Sequence, residues 1–169
     1  MKSFSGKIKF LSMGVMALGA GYLLLCFPQP LFAYKLSAQD ITLYCDEPIP
    51  AGLVDVPQDV QRRLEGSPLY AGHPHQNAFV CNHGWRFKLL ANQSAGAGGL
   101  AYGSAPWNVF LRKSDIAQNV LFRGDGKSSG SDRPLSYFLA HEVTHNLTVG
   151  EMLKGDFDRE QLEAELRAN

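Results

Sequence analysis

From Phe10 to Ala33 the chain carries no charge, and the core of this run, Phe10–Phe27, extends for about 18 residues with Ser12 as its clear polar interruption. A helix apolar on all sides must either be buried in a protein core or sit in lipid. The length reaches the lower end of a bilayer span. Lys2, Lys7 and Lys9 precede it, which predicts an N-terminus held in the cytoplasm and a remainder that lies across the membrane. A cleaved signal peptide competes with this reading, but Leu31-Phe32-Ala33 is a poor cleavage site. A lipoprotein anchored at Cys26 ranks lower, because Leu23-Leu24-Leu25 offers no small residue before the cysteine. The expected organisation is a cytoplasmic segment 1–9, a transmembrane anchor or signal segment 10–33, and a folded domain 34–169. The expected location is the inner membrane, single-pass, with the domain in the periplasm or at the cell exterior and the bilayer as the helix's partner.

The domain's chemistry concentrates in residues 141–145, His-Glu-Val-Thr-His. On a helix, His141 and His145 project from one face, where two imidazoles can share a zinc ion. Glu142 then stands beside the metal, placed to act as general base on a metal-bound water. A helix is expected over 131–150. Asp132 is a plausible N-cap, Pro134 falls in the first turn, and Leu135, Phe138, Leu139, Val143 and Leu147 form an apolar stripe. Gly150 is the expected stop. The plainer alternative makes both histidines and the glutamate solvated helix residues.

The 16 basic and 16 acidic residues balance, leaving no basic field for a nucleic-acid partner. Of the three cysteines, Cys26 lies in the apolar run, so Cys45 and Cys81 form an even pair in the domain. An oxidising compartment favours a disulfide between them, closing a loop of about 36 residues. Two buried thiols are the alternative.

Elsewhere, 34–40 reads as a polar linker and Ile41–Cys45 as a strand closed by Asp46-Glu47-Pro48. Pro57–Leu64 reads as a short amphipathic helix. Ala78–Cys81 and Trp85–Ala91 read as strands, 93–103 as a Gly/Ala-rich loop, and Trp107–Arg112 as a further strand. Residues 114–122 fit either a short helix or a strand, and Phe157–Arg167 fits a final amphipathic helix. The predicted class is α+β: a small twisted sheet packed on helices, one carrying the His-Glu-x-x-His motif, preceded by one transmembrane helix.

With the motif, the chain resembles a zincin metallopeptidase, gluzincin-like, over about residues 78–150. It also looks like uncharacterised bacterial proteins with a membrane anchor ahead of such a domain. The resemblance implies Zn²⁺ held by His141 and His145, Glu142 as general base, and an edge strand at Trp107–Arg112 that holds a polypeptide substrate by β-augmentation. It implies hydrolysis of peptide bonds outside the cytoplasm. A catalytic zinc takes three protein ligands and keeps one position open. Glu151, just past Gly150, is the first candidate for the third ligand. Glu163, Glu165, His73, His75 and His83 are the others. The segment that carries the third ligand in gluzincins does not follow His145, so the alternative is a truncated or catalytically inactive relative with a binding role or none.

Overall fold

The computed structural model describes residues 2–51, 53, 55–70, 74–91, 97–130 and 132–154, with the backbone alone for 2–11 and 154. Helix α1 (Lys2–Cys26) leads into a short 3-10 turn at Gln29–Leu31. Strands β1 (Tyr34–Ala38) and β2 (Ile41–Cys45) follow, then α2 (Asp55–Leu64), β3 (Gln76–Val80) and α3 (Gly84–Leu90). Next come β4 (Gly99–Ala101), β5 (Asn108–Leu111), β6 (Ser114–Asp115), β7 (Val120–Leu121) and α4 (Leu135–Lys154). Strands β1 to β5 form one mixed sheet in the order β1-β2-β3-β5-β4. Strands β2, β3 and β5 run parallel, and β1 and β4 pair antiparallel at the two edges.

Parallel pairing needs a crossover, and α2 supplies the one between β2 and β3. Central strands flanked on both faces are apolar along their length; accordingly every residue of β5 is buried, and in β2 only Tyr44 is partly exposed. On one face Ile41, Leu43, Ala78, Val80, Val109 and Leu111 meet Val56, Val60 and Leu64 of α2. Leu135, Leu139, Val143 and Leu147 of α4, a stripe at four-residue spacing, close the same core. On the other face Phe79 stacks between Tyr44 (4.9 Å) and Phe110 (5.3 Å), covered by Phe87 and Leu90 of α3 and by Phe32.

Among the described residues no helix is long and apolar enough to cross a membrane. This overturns the expected transmembrane segment at 10–33 and the architecture built on it; the fold is a small α+β unit with a mixed sheet and four described helices. Lys2, Lys7 and Lys9 fall inside α1, and Gly14, Gly19, Gly21 and Tyr22 interrupt its apolar residues. The last turn of α1 is built into the domain. Asn108 Nδ2 donates to the carbonyls of Leu25 (2.9 Å) and Cys26 (3.0 Å), and Trp107 Nε1 donates to Cys26 (3.3 Å).

Other expectations also change. Trp85–Ala91 belongs mostly to α3 rather than to a strand, because Phe87, Leu90 and Ala91 bury together at helical spacing. The buried carboxylate of Asp46 accepts the backbone N–H groups of Asn82 and His83 (both 2.9 Å) and so fixes the approach to that helix. Residues 34–38 are an edge strand, not a linker. Residues 114–122 form β6 and β7 around a turn in which Asn119 takes φ 54°, a left-handed conformation asparagine tolerates. Helix α4 continues past Gly150 to Lys154. The helix expected at Phe157–Arg167 lies outside the described residues.

Candidate functional site

Helix α4 starts where the β6–β7 turn receives it. Asn119 accepts the backbone N–H of Leu135 on its carbonyl and that of Ser136 on Oδ1 (both 2.9 Å), satisfying two of the donors a helix start leaves open. The cap thus comes from a distant turn, not from Asp132 as the local sequence suggests. Ser136 Oγ in turn donates to Asp59 of α2 at 2.6 Å, fixing α4 against α2.

In the same first turn, Tyr137 presents its ring nearly parallel to that of His141, with centroids 6.4 Å apart. His141 and His145 place their Nε2 atoms 3.2 Å apart, with ring planes at 85°. An ion about 2.0–2.1 Å from each nitrogen would be seen at an angle of roughly 100–105°, close to tetrahedral. The spacing therefore suits two corners of a zinc-type site. Burial, then the neighbouring charge of His145, lowers the pKa of His141 and favours the neutral ring that ligation needs.

Glu142 faces the edge strand. A Cβ on Gly99 would lie 2.7 Å from Glu142 Cγ, and one on Gly98 2.9 Å from the ring of Phe138. The two glycines let α4 press Phe138 and Glu142, one helical turn apart, against the β4 backbone. The backbone N–H of Ala101 faces the Glu142 carboxylate and favours its ionised form. Arg112 N–H donates to Gly98 O at 3.1 Å while Leu100 lies opposite Phe110. In an antiparallel ladder this phase turns the N–H of Ala101 away from β5, toward the open edge. Burial raises the Glu142 carboxyl to about 7, and the Ala101 N–H opposes that rise.

The other expected ligands do not join the pair. Glu151 lies on the same uninterrupted helix, about 9 Å beyond His145 and turned roughly 240° around the axis; the chain reversal that ligation requires does not occur. His75 is exposed ahead of β3, and His83 contacts Asp46 at 3.1 Å. His73, Glu163 and Glu165 lie outside the described residues. Among the described residues no group of three or more His, Cys, Asp or Glu side chains could hold a metal ion. The expected edge strand at Trp107–Arg112 is also displaced: β5 is interior, and β4 forms the edge beside the motif.

Cys45 and Cys81 are free and buried, so the expected disulfide is not formed. They lie on opposite faces of the sheet, Cys45 in the α2/α4 core and Cys81 among the phenylalanines. A disulfide needs Cβ atoms about 3.5–4.5 Å apart with side chains converging. Burial raises both thiols, Cys45 to about 11 and Cys81 further.

Gly98, Gly99, Ala101 and Asn119 were not foreseen as parts of this site. The paired glycines ahead of Leu100 were the available signal, since glycine in a strand marks close backbone approach. No family model, curated protein or solved structure matches the chain. Together with the missing third ligand among the described residues, this overturns the resemblance to zincin metallopeptidases.

Proposed function

We propose that His141 and His145 hold a divalent cation of the zinc class, and that Glu142 uses it to hydrolyse peptide bonds. The observation that carries this reading is the 3.2 Å approach of the two Nε2 atoms on the helix that also bears Glu142. A bound ion of this class lowers the pKa of a coordinated water toward about 7. With such an ion held by His141 and His145, Glu142 would accept the proton of an attacking water and pass it to the leaving amine. The Ala101 N–H steadies the carboxylate between these steps. The open edge of β4 beside Glu142 offers main-chain hydrogen bonds to an extended polypeptide, which supports a peptide substrate.

A lipid surface is the proposed partner of α1, whose Met13, Leu18 and Leu23 are 62%, 77% and 58% exposed. A second reading, cation binding without catalysis, is favoured by the lack of a third ligand among the described residues.

Glu142→Gln separates the two. With hydrolysis as proposed, the variant retains its zinc and cleaves a denatured-protein substrate about 100-fold more slowly or worse. Zinc retention without measurable cleavage by the unsubstituted chain selects the second reading. Equal cleavage by both proteins removes Glu142 from the reaction.

A further inference from the structure

We propose that a cavity on the sheet face opposite α4 binds a small organic phosphate, a molecule with two or more phosphate charges on an aromatic or apolar body. The cavity is a half-open cleft of about 450 Å³, within the range of small-molecule sites, roughly 300–1,000 Å³. Four cationic side chains converge on it: Lys88 from α3, Arg112 and Lys113 from the end of β5, and Arg123 from the segment after β7. The chain as a whole balances 16 basic against 16 acidic residues, so this concentration is local rather than a surplus spread over the surface. No aspartate or glutamate is among the described residues that line the cavity. Arg123 meets Asp125 only at 4.0 Å, with both side chains more than half exposed, and Lys113 also borders a neighbouring cleft lined by Glu47 and Asp115.

Like charges brought together repel, and a multivalent anion offsets that repulsion. The cationic heads are backed by aromatic faces. The Arg112 guanidinium stands 5.1 Å from the Phe87 ring centroid and the Lys113 ammonium 5.8 Å from that of Phe122. These rings hold the cations in place and supply apolar wall for the rest of the ligand. A guanidinium grips phosphate with two parallel hydrogen bonds, and an ammonium meets it as a point charge. The site uses neither His141 nor His145, so its fate is independent of the proposed hydrolysis.

The test is calorimetric titration of the full chain with ADP and, separately, with sodium pyrophosphate, in chelator and at two NaCl concentrations. ADP is expected to bind, to bind several-fold more tightly than pyrophosphate, and to weaken as salt rises. Replacing the two exposed cations together, Lys113→Gln with Arg123→Gln, is expected to weaken ADP binding about tenfold or more without changing the melting temperature. No heat of binding for ADP up to about 5 mM, or unchanged affinity in the double variant, overturns the site. Pyrophosphate binding as tightly as ADP overturns the part assigned to the aromatic walls.

Discussion

Gly99 is the residue on which the placement of Glu142 turns. Its missing side chain leaves room for Glu142 Cγ at 2.7 Å and Leu111 Cδ2 at 2.9 Å from where a Cβ would stand. Gly99→Ala therefore forces apart the strand and the helix that carries the motif. The expected cost is about 1–3 kcal/mol in denaturant unfolding, typical of overpacking, together with loss of Glu142 from the Ala101 N–H. A variant as stable as the parent contradicts this packing. The histidine pair and Glu142 were legible in the sequence because a five-residue motif fixes their relative positions on any helix. Their surroundings were not, because Gly99 carries no side chain to reveal which helix it meets. Glu151 misled for a related reason: whether it can reach back depends on Gly150 ending the helix, and here the helix runs on.

Between elements, a hydroxyl–carboxylate hydrogen bond from Ser136 to Asp59 ties α4 to α2 beside their shared apolar core. Asp59 is partly buried, which alone would raise its carboxyl. The Ser136 hydroxyl, then Arg63 and Arg62, outweigh this and hold it below its usual value. A depressed carboxyl contributes stability that is present above its unfolded pKa, near 4, and lost as pH falls through the lower folded value. Asp59→Asn is thus expected to be less stable than the parent at pH 7, with the gap narrowing as pH falls from about 5 to 2. A constant gap across that range, measured by urea unfolding, contradicts the assignment. Element type was legible where apolar spacing ran long, as along α4. It was not legible at Trp85–Ala91, where alternation of Trp85, Phe87 and Leu89 imitates a strand while Phe87 and Leu90 actually bury. The β1 edge was hidden in a polar segment, since an edge strand with exposed residues has no apolar pattern to show.

At the scale of the molecule, the mixed sheet separates two cores, and the cysteines report on both. Cys45 lies in one and Cys81 in the other, at 1% exposure each. Neither thiol should react with an alkylating reagent until the chain unfolds globally, and both should then react together. Rapid labelling of either in native protein contradicts the two-sided core. Pairing of the cysteines was unreadable from sequence because it depends on which sheet face each occupies, and a shift of one position reverses the face. The same sheet brings β4 beside α4, and so sets Glu142 against the β4 backbone on the helix that carries His141 and His145. Anomalous diffraction from a zinc-soaked crystal tests that assembly most directly. The expected result is one strong peak shared by His141 Nε2 and His145 Nε2, about 2.0–2.1 Å from each. No peak between them, with zinc seen only elsewhere or not at all, would contradict the proposed metal site and the hydrolysis that rests on it.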